Sequence, residues 1–335
     1  MPCILRTFAE LPGGFVCNLI RQAVRDLRWS VTKAKLTWQS KLILLLVLPF
    51  LGAHLVLATH WWATQATTVA VWTVGLSVLL GLVTWKMRAA MPRAAVTGAA
   101  ITASLMFSTA TFPYEPWHTA LVPVLAVSLL AFLTTQAGRG RKEGMGAAES
   151  RRGRSASQIA ANLGVAAIFS SQFAQSWCLD SGVASGWFAA LTYDPALVLV
   201  GGLAALAEAA ADTVSSELGQ AFGGNPRMMT TLRRVDAGRD GAISLAGTTA
   251  GVSAALIVAA LGTVALRGDR AMFWISSAGA VFGLFFDSLL GATLEERGWL
   301  NNDMVNFLST AAAGVFAFGL LALLSLQGVP FSLVR

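Results

Sequence analysis

The feature that most restricts the fold of this chain is a series of long apolar stretches separated by short polar segments. A helix needs about 20 apolar residues to cross a hydrocarbon core of roughly 30 Å. Only helices and closed barrels satisfy all of their backbone hydrogen bonds inside a bilayer. The sequence therefore predicts an all-α fold, a polytopic transmembrane helical bundle of about nine spanning helices. The predicted crossings are residues 42–59, 66–85, 94–112, 118–136, 157–177, 195–216, 241–266, 271–294 and 303–325.

The composition agrees with a membrane protein. Hydrophobic residues make up 55% of the chain and charged residues only 12%, and the mean hydropathy is +0.64. Soluble globular domains carry about 25% charged residues, so the composition excludes that class. We expect an integral protein of a bacterial-type inner or plasma membrane.

Basic residues are distributed unevenly between the two sides of the predicted membrane. With the N-terminus inside, the inner segments contain 21 of the 24 Lys and Arg residues, and only Arg267, Arg270 and Arg335 lie outside. This bias predicts a cytoplasmic N-terminus and an outside C-terminus. The net charge of +7 then indicates attraction to an anionic inner leaflet. No basic and aromatic module accompanies it, so no nucleic-acid partner is expected.

The pattern of polarity divides the chain into five parts. The linker between the two membrane parts is rich in Gly, Arg and Ser, so we expect it to be mobile. The short apolar piece within Asp180–Asp194 cannot span a bilayer and is interpreted as interfacial or re-entrant. The five parts are a basic interfacial arm at 1–41, a four-helix membrane part at 42–136, a cytoplasmic linker at 137–156, a core membrane domain with a polar site at 157–325, and a tail at 326–335.

The crossing at 195–216 differs from the others because it carries carboxylates. Glu208 and Asp212 share one face of an ideal helix, and Ser216 continues that face. Glu217 lies about 140° around the helix from Asp212, so either the helix breaks after Ser216 or Glu217 serves another partner. Acids in a spanning helix are costly without water or a cation, which favours a functional site. The alternative is that they mark the helix end and are solvated.

Other polar residues fall at the same predicted membrane level. Arg154, Gln158 and Asn162 recur every four residues and predict a polar helix face directed at the bundle or a water-filled cavity. In the inner loop, Gly238 and Gly241 permit close backbone approach to a ligand. The residues expected to converge are Arg154, Asn162, Asp212, Glu217, Asp236, Asp240, Asp287, Asn302 and Asn306.

The chemistry of this set favours phosphate over other ligands. The sequence contains no GxxxxGK[ST], GxGxxG or HExxH motif, so the common soluble modes of phosphate, dinucleotide and zinc binding are absent. What the chain offers is hard oxygen ligands beside arginines. Mg²⁺ and guanidinium groups together neutralise a phosphoryl group during its transfer.

Four sequence blocks in fixed order, ADTVSSELG, RRVDAGRDGAISLAGTTAG, FDSLLGATLEE and NNDMVNFLST, resemble the DUF92 family of polytopic membrane proteins, which includes a chloroplast phytyl-phosphate kinase. The resemblance covers about residues 150–325. This chain departs from the family pattern at Glu295, where relatives have Gln, and at Asp236 and Asp240, where they have small uncharged residues. By position, the motif residues are Asp212, Ser216, Glu217, Gly238–Gly241, Asp287, Ser288, Gly291, Ala292, Asn302 and Asn306.

The resemblance implies a phosphotransferase that converts an isoprenoid-type lipid monophosphate to the diphosphate at the cytoplasmic face. The cofactors would be Mg²⁺ and a nucleoside triphosphate, CTP or ATP. In this hypothesis Asp212, Glu217 and Asp287 are the catalytic and metal-binding residues. The residues expected to bind substrate phosphate are Arg154, Asn162, Ser216, Gly238, Arg239, Gly241, Ser288, Asn302 and Asn306.

Two other hypotheses fit the same residues. The acids could bind a permeating cation in a cation-coupled transporter or channel with broken helices. A scaffold without chemistry is disfavoured, because so many intramembrane polar groups would be costly for no gain. A transporter site should lie near the bilayer midplane, whereas these carboxylates lie toward the inner interface, which favours the enzyme. The sequence specifies no oligomeric state.

The orientation is testable with reporter fusions. We predict that reporters inserted at 86–93 and 137–156 are active only as cytoplasmic fusions, because these segments carry the inner positive charge. A periplasmic signal from either position would contradict the orientation.

Overall fold

A computed structural model describes residues 36–144, 150, 152–180 and 195–326. These residues form eleven helices and a two-residue β-pair. The helices are α1 Thr37–Gln65, α2 Thr67–Lys86, α3 Pro92–Ser108, α4 Leu121–Gln136, α5 Arg139–Gly144, α6 Ala156–Ser170, α7 Gln172–Asp180, α8 Pro195–Phe222, α9 Leu245–Ala265, α10 Arg270–Leu290 and α11 Asn302–Leu326, and the strands are β1 Arg227–Met228 and β2 Ala242–Ile243.

The predicted helical membrane fold is confirmed. Within the described ranges, six helices are long and apolar enough to cross a membrane, namely α1, α2, α8, α9, α10 and α11. Three further predicted crossings correspond to the shorter helices α3, α4 and α6, of 17, 16 and 15 residues. The count of nine crossings therefore stays a prediction. The basic arm up to residue 35, residues 181–194 of the proposed re-entrant piece and the tail from 327 lie outside the described residues.

The bundle has two ends that the side-chain contacts identify. At one end, which we call the site end, α2, α4, α8 and α10 finish and α1, α3, α6, α9 and α11 begin. There Gln39 Nε2 donates to the Trp299 carbonyl at 2.8 Å, and Arg141 donates to the Ala221 carbonyl at 2.9 Å. At the opposite end, Arg267 pairs with Glu115 at 3.2 Å. The helices therefore alternate in direction, as a polytopic chain requires.

Helix α8 is the centre of the bundle. It packs on α4, α6, α9, α10 and α11, and 83% of its most apolar 18-residue segment is buried inside the bundle. Its alanines and glycines allow this because helices in a membrane approach most closely through small residues. A Cβ on Gly251 of α9 would lie 2.8 Å from the Ala211 carbonyl oxygen of α8. The small-residue face of α9 that contains Gly247 and Gly251 is therefore directed at α8.

Two local predictions need correction. Residues 60–65 were expected to form a turn, but α1 continues through Gln65 and only Ala66 separates it from α2. The linker was expected to be mobile, but its residues Arg139–Gly144 form α5. Lys142 in this helix is fully buried and donates to the Thr134 and Thr135 carbonyls at 3.0 and 2.9 Å. These bonds satisfy the last carbonyls of α4, which explains why a basic segment folds back onto the bundle.

Close packing of α10 on α11 predicts a stability difference between two glycines. A Cβ on Gly279 would lie 2.7 Å from the Ala313 carbonyl oxygen and 2.8 Å from the Ala317 Cβ, whereas a Cβ on Gly52 of α1 meets nothing within 4 Å. Gly279→Ala should lower the free energy of unfolding by about 1–3 kcal/mol through overpacking. Gly52→Ala, the matched control, should leave it unchanged or raise it by up to about 1 kcal/mol. Thermal unfolding in detergent measures both, and equal melting temperatures would contradict the packing.

Candidate functional site

A pair of aspartates from two helices forms the centre of the candidate site. Asp212 lies on α8 and Asp287 near the end of α10, and the two carboxyl groups are close enough to interact. Ser216 Oγ, one turn along α8, donates to Asp212 Oδ1 at 3.3 Å. One oxygen of Asp287, Oδ2, is buried and has no hydrogen-bond partner among the described residues. Two neighbouring half-buried carboxylates are stabilised by a cation or a proton that offsets their charge.

Glu208 extends this acidic pair deeper into the bundle. It is fully buried, and neither of its carboxyl oxygens has a hydrogen-bond partner within the described ranges. It interacts electrostatically with Asp212, one turn away. Ser309 lies close to Glu208 and Asp287, but its Oγ donates to the Asn306 carbonyl at 3.1 Å. The sequence motif omits Glu208, although its spacing of four residues from Asp212 indicates the shared face.

A glycine makes room for the Glu208 side chain. A Cβ on Gly283 of α10 would lie 2.6 Å from the Glu208 Cγ. The side chain therefore occupies the space that any larger residue would fill. The Glu208 side chain is buried because α10 and α11 pack closely against α8 at this position.

Arg154 supplies the positive charge of the site. It interacts electrostatically with Asp212, and its backbone is fixed against the turn between α2 and α3. Its N–H donates to the Ala89 carbonyl at 3.0 Å, and its carbonyl accepts from the Met91 N–H at 3.0 Å. Gly153 has φ +84°, and a Cβ there would lie 2.6 Å from the Ala89 and Ala90 backbone. Only glycine permits this approach, so the residue before Arg154 helps to place it.

The polar face predicted on α6 is divided between two roles. Gln158 forms a capping box with Ser155: the Gln158 N–H donates to Ser155 Oγ at 3.2 Å, and the Ser155 N–H donates to Gln158 Oε1 at 2.6 Å. This bond arrangement caps the start of α6 and removes Gln158 from the site face. Asn162, one turn further, accepts from Asn306 Nδ2 of α11 at 2.8 Å. The two amides therefore join α6 to α11 beside the acidic pair.

Glu217 has hydrogen-bond and ion-pair partners outside the predicted metal site. Helix α8 does not break after Ser216 but continues to Phe222, so Glu217 lies on another face and serves another partner. Its carboxylate pairs with Lys142 Nζ at 2.5 Å and accepts from Thr135 Oγ1 at 2.9 Å. Among the described residues, no group of three or more His, Cys, Asp or Glu side chains is arranged to hold a metal ion. The predicted metal site that includes Glu217 therefore stays a prediction, and in this structure Lys142 and Thr135 hold the Glu217 carboxylate.

The glycine-rich loop packs against protein rather than open space. Gly241 has φ +71°, and a Cβ there would lie 2.1 Å from the Ala292 backbone nitrogen, in the π-helical turn Gly291–Glu295 that follows α10. Gly238 also has positive φ, at +84°. The loop therefore docks on the turn next to Asp287, and its glycines are needed for that contact.

The remaining predicted phosphate-binding residues have local partners or are exposed. Arg239 forms an ion pair with Glu296. Ser288 Oγ donates to the Leu284 carbonyl at 3.3 Å within α10. Asn302 is exposed at the start of α11, whereas its neighbour Asn301, which sequence reasoning missed, caps that helix by accepting from the Met304 N–H at 2.9 Å. Their role in phosphate binding stays a prediction.

A cavity opens beside Arg154, and Arg154 and Asn162 of the predicted polar face line it. It lies between α2, α3, α4 and α6 and reaches Ala209 of α8. Its empty volume, including the part that is open to the surroundings, is about 940 Å³. Among the described residues, the lining contains Arg88, Arg139 and Arg154 but no Asp or Glu. The cavity therefore combines a cationic end with walls that are mostly apolar.

The acidic pair fits a magnesium ion better than the predicted triad does. Mg²⁺ is usually held by one or two carboxylates together with waters and substrate phosphates. Asp212 and Asp287 supply two adjacent hard donors, and the buried Asp287 Oδ2 has no competing hydrogen bond in the described part of the chain. The donor set present is thus compatible with Mg²⁺ bound by two aspartates, without Glu217.

The ion pair of Glu217 predicts a structural phenotype. Glu217→Gln should lower the free energy of unfolding by about 3 kcal/mol, because it leaves the Lys142 ammonium buried without its carboxylate. Replacing both partners by apolar residues, Lys142→Met with Glu217→Leu, should restore most of the loss. Glu296→Gln, which breaks an exposed pair, should change stability by at most about 1 kcal/mol. If thermal unfolding were the same for Glu217→Gln and Glu296→Gln, the structural role would be contradicted.

Comparisons with known proteins place these residues in a family. The sequence profile described as "Integral membrane protein DUF92" matches residues 75–314. The match begins earlier than the sequence blocks indicated and includes part of α2 and all of α3 and α4, the helices that line the cavity. No solved structure matches the chain significantly.

Three relatives cover different parts of the chain. An uncharacterized membrane protein of Methanocaldococcus jannaschii is 41% identical over 35% of this chain and 49% of its own length. An uncharacterized membrane protein of Synechocystis is 32% identical over 61% of this chain and 74% of its own length. The chloroplastic protein VTE6 of Arabidopsis thaliana is 29% identical over 58% of this chain and 56% of its own length. The chain thus spans about half the length of two of these relatives and about three quarters of the third. Because the profile match covers more than half of the chain, the protein belongs to the DUF92 family of integral membrane proteins.

Proposed function

We propose that this protein is a membrane-embedded phosphotransferase that converts an isoprenoid-type lipid monophosphate to the diphosphate. A nucleoside triphosphate, CTP or ATP, is the donor, and the site faces the cytoplasm. The observation that carries the proposal is the pair of Asp212, bonded to Ser216, and Asp287, whose buried Oδ2 has no hydrogen-bond partner among the described residues, with Arg154 interacting electrostatically with Asp212. The resemblance to a family with a phytyl-phosphate kinase supports the choice of reaction.

In the proposed reaction, an oxygen of the lipid phosphate attacks the terminal phosphorus of the nucleotide. A new P–O bond forms as the bond to the leaving nucleoside diphosphate breaks. Mg²⁺, when bound, neutralises phosphate charge as it develops. Asp212 and Asp287 hold the metal, and Ser216 orients Asp212 through its hydrogen bond of 3.3 Å.

The cationic and amide groups of the chain have separate tasks in this reaction. Arg154 offsets the charge of the lipid phosphate, because a guanidinium binds phosphate oxygens in a planar, bidentate manner. Asn162 and Asn306, joined at 2.8 Å, fix α6 against α11 and so keep Arg154 and the acidic pair at a constant separation. Such positioning supplies much of the rate of phosphoryl transfer, because the protein performs little covalent chemistry in these reactions.

One observation favours a second candidate, a cation-coupled transporter. Glu208 is fully buried one turn deeper than Asp212, and its oxygens lack hydrogen-bond partners in the described residues. A buried carboxylate of this kind is a typical cation or proton site in transporters. However, α8 is continuous through this region, whereas many transporter sites are built on interrupted helices.

Asp287→Asn should reduce phosphoryl transfer without impairing folding. The amide keeps the size of the side chain but removes the charge that a hard cation requires, so we expect phosphoryl transfer to fall at least about a hundredfold. Thermal stability should be unchanged or higher, because a charge leaves an apolar helix. The assay incubates purified protein with labelled CTP or ATP and a panel of polyprenyl and phytyl phosphates.

Two variants serve as controls for that experiment. Asp236→Asn makes the same chemical change in an exposed loop and should retain full activity. Glu208→Gln should reduce activity less than Asp287→Asn, because Glu208 adjoins the pair without being assigned as a ligand. Full activity of Asp287→Asn, with loss of activity in Glu208→Gln, would overturn the ligand assignment and favour the transporter.

A further inference from the structure

The cavity beside Arg154 has a cationic end built from three separate segments. Arg88 lies in the turn after α2, Arg139 begins α5, and Arg154 precedes α6, and all three line the same space. Arg88 adopts φ +57°, a conformation that non-glycine residues rarely take and that the surrounding turn must hold in place. Its N–H donates to the Trp85 carbonyl at 2.9 Å. The three guanidinium groups are thus carried by backbone segments that the fold brings together.

The charge of this end is only partly balanced within the protein. Arg139 Nε donates to Glu143 at 3.2 Å and Arg154 interacts with Asp212, but the described residues that line the cavity include no Asp or Glu. Three arginines that outnumber these acidic partners form a site for a phosphate or carboxylate, which a guanidinium binds through paired hydrogen bonds. The cavity therefore favours an anionic group at its site end.

The walls of the cavity favour a hydrocarbon chain beyond that anion. Apolar side chains from α2, α4 and α6 line it, including Leu80, Val124, Val127, Phe132, Ile159 and Leu163. Helix α3 packs closely on α2 and α6 but contacts α4 at few points, which leaves the space between α3 and α4 for the cavity. Apolar residues such as Leu129 and Leu133 are exposed along α4, so a chain can arrive from the bilayer without crossing a polar surface.

The cavity approaches the candidate site at its inner wall. Ala209, between Glu208 and Asp212 on α8, lines it, and so does Asn162, which bonds to Asn306. Arg154 both lines the cavity and interacts with Asp212. A phosphate bound by the arginines would therefore lie next to the acidic pair, which is the position that an acceptor needs.

We propose that this cavity binds the lipid monophosphate acceptor, with Arg88, Arg139 and Arg154 around the phosphate and the apolar walls along the chain. The identity of the acceptor rests on the proposed function. Arg88 and Arg139, which no sequence motif singled out, become substrate-binding residues. Gly98 of α3 lines the part of the cavity that we assign to the hydrocarbon chain. A Cβ at Gly98 would meet only Ile159 Cγ2, at 3.8 Å, so a larger side chain there would extend into the cavity.

The test is a binding measurement without nucleotide, so that it does not depend on turnover. Full-length protein in detergent is titrated with geranylgeranyl monophosphate, geranylgeraniol, inorganic phosphate and dioleoyl phosphatidic acid, with thermal stabilisation as the readout. We expect the monophosphate to bind at least about tenfold more tightly than the alcohol or free phosphate, because it alone engages both parts of the cavity.

Substitutions at each end of the cavity test which part binds the phosphate and which part binds the hydrocarbon chain. Arg88→Gln and Arg139→Gln should each weaken monophosphate binding about tenfold, the loss of a charge-assisted hydrogen bond. Arg93→Gln, an exposed arginine at the same end that does not line the cavity, should change binding less than about twofold. Gly98→Leu should weaken binding of the long-chain monophosphate more than that of the five-carbon isopentenyl monophosphate.

The outcomes distinguish this inference from the proposed function. Phosphatidic acid binding as tightly as the monophosphate, or equal effects of Arg88→Gln and Arg93→Gln, would overturn the acceptor site even if the protein transfers phosphate. Arginine-dependent binding of the monophosphate without any transfer from CTP or ATP would support the binding site and contradict the phosphotransferase.

Discussion

The structure depends on the burial of one small-residue helix that carries acids. Helix α8 packs on five other helices, and its Ala and Gly residues let neighbouring backbones approach within the distance that excludes larger side chains. This packing places Glu208 and Asp212 among helices rather than at the surface. A buried carboxylate requires a compensating cation, proton or hydrogen bond. The helices around α8 supply groups that can provide this compensation. Asp287 from α10, Arg154 before α6 and the amides of α6 and α11 are all positioned by contact with this centre.

The negative charges of the α8 acids are compensated in two different ways. One is a structural ion pair, and the other leaves carboxylates that can bind a ligand. Glu217 has a dedicated partner in Lys142, which also satisfies the carbonyls at the end of α4. This pair fixes α5 against the bundle and leaves no charge for a ligand. Asp212 and Asp287 have instead each other and a nearby arginine. A bound cation would offset their charge, which is the property expected of a site for a cation and a phosphate.

Sequence reasoning predicted the parts of this account that depend on periodicity and polarity. The apolar runs predicted the helical membrane class, and the spacing of Glu208, Asp212 and Glu217 limited the structure to two alternatives, of which the second is found: α8 continues, and Glu217 serves another partner. The roles of Gln158, Arg239 and Gly241 depend on contacts with Ser155, Glu296 and Ala292. Only the first of these contacts is local in sequence. The polar spacing of Arg154 and Asn162 indicated a cavity as one alternative, but its apolar walls depend on the sparse contact between α3 and α4, which no residue pattern records.

The central claim is that the acidic pair transfers phosphate onto a lipid phosphate. It is tested most directly by reconstituting the purified protein in nanodiscs with Mg²⁺, a nucleoside triphosphate labelled at its terminal phosphorus, and geranylgeranyl monophosphate. The account predicts that the label appears in the distal phosphate of a lipid diphosphate, and that phosphate-free geranylgeraniol gives no labelled product. Absence of labelled lipid across CTP and ATP, together with cation flux that depends on Glu208 in sealed liposomes, would contradict it.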